Sequence, residues 1–134
     1  MNKELDPRPL AGLRVIEIGQ LLAGPFTGTI LGYFGAEVIK VEPPEVGDPI
    51  RGWREVRDGT SLWWASLSRN KKCITLDLKT PKGQEVLKKL ANTADVFVEN
   101  FRPGTMEKWG IGPDTFKEEN PGLIYARISG YGQT

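Results

Sequence analysis

The 134-residue sequence contains no histidine and a single cysteine, Cys73. Without histidine, these residues hold no Ser-His-Asp or Cys-His catalytic arrangement and no histidine-based zinc site. One cysteine also allows no internal disulfide and no multi-cysteine metal site. We therefore expect no bound metal. Chemistry carried out by these residues must use carboxylates, hydroxyl groups, lysine, the backbone or a bound organic molecule.

Excess charge of one sign and long apolar runs are also missing. Lysine and arginine number 18 against 17 aspartates and glutamates, for a net charge of +1. Bulk electrostatics therefore gives no reason to expect a nucleic-acid partner. The longest apolar runs fall well short of the ~20 residues that cross a bilayer, so we expect no membrane segment. With 39% hydrophobic and 26% charged residues, the composition is that of a globular protein, which we expect to be cytoplasmic.

Short β-branched runs alternate with helical patterns along the chain. Residues 1–12 are polar and predict an N-terminal arm, and the alternating pattern fills 13–134. Strands are predicted at 13–19, 37–41, 73–78, 95–99 and 123–129. Helices are predicted at 24–34, 61–68, from 80–81 onward, at 105–109 and at 113–119, and 43–59 is predicted as a long irregular connection. Such alternation predicts an α/β fold, with a parallel sheet that carries helices on both faces.

The segment after the first predicted strand has the glycine spacing of a phosphate-binding loop. Gly19 and Gly24 are separated by four residues, but Pro25 and Phe26 follow where a nucleotide-binding loop has lysine and serine or threonine. This excludes a nucleoside-triphosphatase loop. A turn at the end of a strand still favours a ligand role for residues 20–25, with a purely structural turn as the alternative. Further along, Gly24, Gly28 and Gly32 share one helix face, which favours tight packing over ligand contact.

Several charged residues stand at positions that need an explanation. Glu17 lies inside an apolar run, so we expect it to be paired or at a sheet edge and to fix a loop. The basic run 69–72 is most simply a solvated surface, and Cys73 is predicted to be a small buried apolar residue. Further cations follow strand ends, where an anionic ligand would bind: Lys79, Arg102 and Lys108.

A series of short segments, spread from residue 9 to the end, carries a resemblance to a known family. The segments are 10–15, 23–25, 31–42, 47–48, 70–72, 76–79, 95–104 and 130–134. In this order and spacing they resemble the class III coenzyme A transferases, the family of formyl-CoA:oxalate and carnitine CoA-transferases. The resemblance implies a Rossmann-like large domain, with residues 13–134 as its N-terminal part. It also implies transfer of coenzyme A between an acyl-CoA and a carboxylic acid, no permanently bound cofactor, and interlocked homodimers.

The resemblance also implies a set of binding residues. By position, the family's contacts to the adenine and phosphates of CoA fall on Leu76, Asp77, Leu78, Lys79, Asn100, Phe101, Arg102 and Lys108. Ala23 matches a loop residue near the thioester. Leu22 stands where formyl-CoA transferases have a glutamine that serves their small acid, which argues against oxalate or formate as substrate. Pro43 replaces an arginine that helps to hold CoA in some members.

The family's nucleophilic aspartate lies beyond the position of Thr134, so we assign no catalytic residue. We accordingly expect the chain to be an N-terminal fragment or a truncated gene product that is inactive alone. With part of its sheet uncovered, it is expected to self-associate or to depend on the missing part of the protein. Two alternatives stay open. The α-methylacyl-CoA racemases resemble the same region, and a non-catalytic remnant that binds CoA would show the same motifs. The sequence does not specify the acyl-CoA or the acceptor acid.

Overall fold

In the computed structural model, which describes residues 7–134, strands and helices alternate along the chain. The strands are β1 (Arg14–Glu17), β2 (Glu37–Glu42), β3 (Val56–Arg57), β4 (Thr60–Ser61), β5 (Lys71–Thr75), β6 (Val96–Glu99) and β7 (Ile124–Arg127). The helices are α1 (Ala23–Tyr33), α2 (Leu62–Leu67), α3 (Pro81–Ala91) and α4 (Thr105–Lys108), with 3-10 turns at Pro49–Gly52 and Pro113–Phe116. None of these helices is long and apolar enough to cross a membrane. Residues 1–6 of the predicted N-terminal arm lie outside the described residues.

Within residues 7–134, five strands form one parallel sheet in the order β5-β2-β1-β6-β7. The central strand β1 pairs with β2 and β6, so that Ile16 lies between Ile39 and Phe97. From β1 the chain adds β2 and then β5 on one side of the sheet, and afterwards β6 and β7 on the other side. The direction in which strands are added therefore reverses between β1 and β6. This is the strand order of doubly wound α/β folds, which bind ligands where the direction reverses, at the carboxyl ends of the strands. The α/β prediction is confirmed.

Both faces of the sheet are covered by helices. On one face, Ile16 and Phe97 pack with buried residues of α3 and α4, such as Leu87 and Met106. Helix α1 covers the other face against β1, β2 and β6. A Cβ added at Gly28 would lie 2.8 Å from Glu17 Oε2, and one added at Gly32 would lie 3.4 Å from Val38 Cγ2. The shared glycine face of α1 therefore provides tight packing, as its spacing predicted.

Three expectations for the middle of the chain are wrong. The strand predicted at 73–78 is β5 at Lys71–Thr75, and residues 76–79 form a turn into α3. Because β5 is an edge strand of the described sheet, Cys73 is exposed and not buried. The basic run 69–72 is not wholly solvated either, because the Lys71 side chain is fully buried in an ion pair.

The connection predicted to be irregular contains regular structure. Residues 43–59 include the 3-10 turn Pro49–Gly52, where the Asp48 side chain accepts a hydrogen bond from the Ile50 amide. They also include the start of a two-residue hairpin that joins β3 to β4. Asp58 and Gly59, at the tip, both have positive φ, which is the geometry that an Asp-Gly hairpin turn favours.

Candidate ligand-binding site

A cavity of about 410 Å³ opens at the carboxyl ends of the parallel strands. Its walls are contributed by residues that end or follow β1, β2, β5 and β6, together with α4. The apolar lining comprises Ile18, Val41, Pro43, Val46, Leu76, Leu78, Phe101 and Trp109. Polar groups are fewer: Gln20, Glu42, Asp77, Lys79 and Thr105. An apolar cavity with a few polar groups at its rim is typical of a site for a small organic ligand. Within the described part of the chain, no group of three or more histidine, cysteine, aspartate or glutamate side chains could hold a metal ion.

The turn at residues 76–79 forms one wall of this cavity. The Asp77 carboxylate accepts a hydrogen bond from the Lys79 amide at 3.0 Å, and the Asp77 carbonyl accepts one from Thr80 Oγ1 at 2.8 Å. Thr80 also caps α3, because its hydroxyl accepts from the Gly83 amide at 3.1 Å. These bonds end β5 and turn the chain into α3, which places Leu76, Leu78 and Lys79 around the cavity.

An aromatic pair forms the wall on the β6 side. The rings of Phe101 and Trp109 meet edge to face, with centroids 5.4 Å apart. The Phe101 amide donates to Glu99 Oε2 at 2.7 Å, and Glu99 Oε1 accepts from Arg127 Nε at 2.9 Å. Glu99 is buried, so this carboxylate fixes the start of the segment that carries Phe101. Its partner, Arg127, could not be found from the sequence, because the two residues are 28 positions apart in the chain.

The residues predicted from the family resemblance are brought together only in part. Five of them line the cavity: Leu76, Asp77, Leu78, Lys79 and Phe101. The side chains of Arg102 and Lys108 are exposed and outside the lining, as is Ala23 at the start of α1. Asn100 is half-buried, and its amide contacts the main chain of the turn after β1.

The turn between β1 and α1, residues 19–22, forms the cavity wall nearest the centre of the sheet. Gln20 lines the cavity, and both its main-chain N–H and its carbonyl bond to the Asn100 side chain. Leu21 has a φ of 62°, in the left-handed region, and its amide donates to Asp48 Oδ1 at 3.0 Å. Two side chains from distant parts of the chain therefore hold this turn.

Behind the turn lies a buried cluster of charges. Lys40 Nζ lies 2.8 Å from Glu17 Oε1, 2.8 Å from Asp48 Oδ2 and 2.9 Å from the Gly19 carbonyl oxygen. Burial disfavours the protonated form of Lys40, but the two carboxylates outweigh it and raise the Lys40 pKa above its ordinary 10.5. Lys71 Nζ lies 2.7 Å from Glu17 Oε2, yet burial holds the pKa of Lys71 below its ordinary value.

Glu17 is thus paired, as its place in an apolar run predicted, although it lies in the central strand and not at an edge. Lys40 and Asp48 were not among the residues predicted to shape the site. One signal could have found Lys40. Aligning the apolar runs of β1 and β2 as parallel neighbours places Glu17 beside Lys40, which is the register observed.

A second buried carboxylate holds the loop after β2. Glu42 is 2% exposed, and its Oε2 accepts from Arg51 Nε at 2.7 Å and from the Asp48 amide at 2.9 Å. The Arg51 guanidinium in turn lies 3.6 Å from the centre of the Trp64 ring. Burial opposes ionisation of Glu42, but these hydrogen bonds together outweigh it and hold the Glu42 pKa below its ordinary 4.5.

This arrangement predicts acid sensitivity that depends on Glu42. Its pKa is lower in the folded chain than in the unfolded one, so its contribution to stability is complete above pH 4.5 and is lost as the pH falls through the folded pKa. The free energy of unfolding, measured with urea between about pH 3 and 7, should fall less steeply in Glu42→Gln than in the wild type. The exposed Glu118→Gln serves as the control. Parallel curves for Glu42→Gln and wild type would remove Glu42 from the acid response.

Comparisons with known proteins agree with this geometry. The sequence profile of the family described as CoA-transferase family III matches residues 10–134. The succinyl-CoA–D-citramalate CoA-transferase of Chloroflexus aurantiacus is 56% identical over 100% of this chain and 34% of its own length. The human succinyl-CoA:glutarate CoA-transferase is 46% identical over 95% of this chain and 29% of its own.

Solved structures give the same result. The crystal structure of a CAIB/BAIF family protein from Brucella suis superposes with a TM-score of 0.86 at 41% identity. The match covers 94% of this chain and 34% of that one. The chain therefore spans about a third of the length of the curated relatives and solved structures that it matches.

Proposed function

The chain belongs to CoA-transferase family III, and we propose that it supplies the acyl-CoA-binding part of an enzyme that moves coenzyme A between an acyl-CoA and a carboxylic acid. The observation that carries this proposal is the cavity at the carboxyl ends of the strands. It is lined by Leu76, Asp77, Leu78, Lys79 and Phe101, five of the residues that the family resemblance implies as CoA contacts. The names of the relatives, which are CoA-transferases, support transfer over racemisation.

The apolar and the charged parts of the cavity fit the adenine and the phosphates of CoA, respectively. The apolar sides formed by Leu76, Leu78 and the Phe101–Trp109 pair would take the flat adenine ring. Lys79 stands at the rim and would meet a phosphate, and the exposed Arg102 and Lys108 would add charge outside the cavity. Leu22 and Ala23, at the start of α1, would face the acyl end. No catalytic residue is assigned in the chain.

The donor is proposed to be the CoA ester of a dicarboxylic acid. The relatives from Chloroflexus aurantiacus and human are both named for succinyl-CoA as donor, and for citramalate or glutarate as acceptor. Calorimetric titration with succinyl-CoA and acetyl-CoA tests this part, since a dicarboxylic preference requires the tighter binding of succinyl-CoA.

Homodimeric assembly, cytoplasmic location and the lack of a permanently bound cofactor are proposed from the family resemblance. Assembly has support in the surface of α1, where Phe26 is 55% exposed and Phe34, just after the helix, is 52% exposed. Aromatic side chains in such exposed positions favour association with another polypeptide. Analytical ultracentrifugation of the chain over a range of concentrations tests for association.

The binding proposal predicts that Lys79→Ala weakens the affinity for CoA about ten-fold. This is the lower end of the range for losing a charge-assisted hydrogen bond. The lower end applies because Lys79 is exposed to solvent. Lys108→Ala should weaken it as well if the phosphates extend beyond the cavity. Isothermal titration calorimetry with CoA and with 3′-dephospho-CoA measures both. A residue that holds the 3′-phosphate will lose more affinity for CoA than for the dephospho form.

Lys89→Ala is the matched control, because Lys89 is an exposed lysine at the other end of α3. Its affinity for both ligands should equal that of the wild type. Unchanged affinity in Lys79→Ala and Lys108→Ala alike would remove these lysines from the site. If the wild-type chain binds neither ligand, the proposed function itself fails.

A further inference from the structure

The glycine pair with phosphate-loop spacing is built around a side chain of this protein. A Cβ added at Gly19 would lie 2.8 Å from Asn100 Oδ1, and one added at Gly24 would lie 3.1 Å from the same atom. Cβ atoms essentially never come as close to another atom as the first of these distances. A Cβ at Gly19 would also lie 2.8 Å from the Gly24 Cα, and one at Gly24 would lie 2.9 Å from the Gly19 Cα. The two glycines are therefore required by each other's backbone, and Gly19 also by Asn100, so the spacing that is typical of a phosphate loop serves here to admit an amide.

The Asn100 amide binds one residue of the turn from both sides. Its Oδ1 accepts from the Gln20 N–H at 2.8 Å, and its Nδ2 donates to the Gln20 carbonyl at 2.9 Å. Asn100 follows β6 and Gln20 follows β1, so the contact crosses the point where the strand order reverses. Many doubly wound folds bind a phosphate at the turn and helix N-terminus found there. In this chain the amide packs into that turn, and the cavity lies beside it, with Gln20 in its lining.

The next residue of the turn is held by Asp48. Leu21 has a φ of 62°, which residues with a side chain rarely adopt unless the surroundings impose it. Its N–H donates to Oδ1 of Asp48, while Oδ2 lies 2.8 Å from Lys40 Nζ. Asp48 is completely buried. It therefore has no exposed atom with which to touch a ligand, and its side chain acts on the turn, on Lys40 and on the loop after β2.

From these contacts we propose that Asn100 and Asp48 are positioning residues, which hold the turn at residues 19–22 in the shape that binds CoA. Asn100 fixes Gln20, Asp48 fixes Leu21, and the two together set the cavity wall nearest the acyl end. This rests on the proposed function for the identity of the ligand. It differs from the family-based expectation for Asn100, because here the amide acts on the ligand through Gln20.

The test uses the 134-residue chain with Asn100→Ala, Asp48→Ala and the double variant. Amide hydrogen exchange, followed by NMR in the absence of ligand, reports whether Gln20 and Leu21 are held. Calorimetry with CoA reports binding. Asn120→Ala is the matched control, because Asn120 Nδ2 donates to the carbonyls of Ala91 and Ala94, away from the cavity.

We expect Asn100→Ala to speed exchange at Gln20 and to weaken CoA binding, each roughly ten-fold. Asp48→Ala should do the same through Leu21, and the losses of affinity in the double variant should be less than additive because both side chains act on one turn. Asn120→Ala should lower the melting temperature and leave the CoA affinity unchanged.

Three outcomes would overturn the proposal. Unchanged exchange at Gln20 in Asn100→Ala would show that the amide does not hold the turn. Faster exchange with unchanged CoA affinity would show that the turn takes no part in binding. A loss of affinity in Asn100→Ala but not in a folded Asp48→Ala would show that Asn100 contacts the ligand itself. If Asp48→Ala does not fold, the first two outcomes decide. If the wild type binds no CoA, the proposed function fails, and exchange alone decides whether the two side chains hold the turn.

Discussion

Replacing Lys40 with methionine is expected to destabilise the chain by about 3–5 kcal/mol, the range for removing one partner of a buried ion pair. Methionine is similar in length but leaves the Glu17 and Asp48 carboxylates buried without the ammonium group that lies 2.8 Å from each. Lys71 still pairs with Glu17, so most of the lost stability comes from leaving the Asp48 carboxylate without a cation. Small domains have total stabilities of about 5–15 kcal/mol, so Lys40→Met should be close to unfolding.

Urea unfolding followed by circular dichroism measures this effect. Lys72→Met is the matched control, because Lys72 pairs with Glu37 on the surface and its side chain is 72% exposed. An exposed pair contributes about 0–1 kcal/mol, so the control should unfold almost as the wild type does. A difference of less than about 1 kcal/mol between the two variants would contradict the predicted cost of leaving the buried Asp48 carboxylate without its cation.

Gly83→Ala is expected to have the second large effect, on both stability and binding. Alanine normally stabilises a helix by about 1 kcal/mol relative to glycine. Here the sign reverses, because a Cβ at Gly83 would lie 2.0 Å from the Asp77 carbonyl oxygen and 2.7 Å from its carbon. These are backbone atoms, so the turn at residues 76–79 must move away from α3. We expect a loss of about 1–3 kcal/mol, the range for overpacking, and a loss of CoA affinity of more than about ten-fold, because this turn forms a cavity wall.

Thermal unfolding and calorimetry with CoA measure the two effects. Gly52→Ala is the matched control, because a Cβ at Gly52 meets no atom within 4 Å and its φ lies outside the left-handed region. The control should keep the wild-type melting temperature and affinity. A Gly83→Ala variant as stable as the wild type would mean that the turn adjusts without strain, and the predicted loss of CoA affinity would then lose its basis.

The sheet could be predicted from the sequence because its pattern is local. Each strand is a short apolar run, and each helix has its own boundary signals, such as Thr80-Pro81 at the start of α3. The exception is the run at 73–78. Ile74, Leu76 and Leu78 alternate as in a strand, but Leu76 and Leu78 lie beyond its end and line the cavity. An apolar cavity wall and a buried strand give the same sequence pattern.

Two of the contacts that shape the site could not be predicted, because they join residues far apart in the chain. Lys71 and its partner Glu17 are 54 residues apart, and Asn100 and Gln20 are 80 apart. Nothing local distinguishes Lys71 from its exposed neighbour Lys72. The family resemblance implies a ligand contact for Asn100, but only the three-dimensional structure shows that its amide binds the protein's own main chain.

The central position of β1 has a consequence for how the chain folds during synthesis. The β1–α1–β2 unit is contiguous and can pair early. The other edge of β1 pairs with β6, and Arg14 bonds to Asp95, which is 81 residues later. At ~5–20 residues per second, the ribosome needs roughly 4–16 s to make that stretch. Throughout this interval that edge of β1 has unpaired backbone N–H and C=O groups, which are open to pairing with other nascent chains. The first of these strands to be translated is therefore enclosed late, and chaperone binding should concentrate on it.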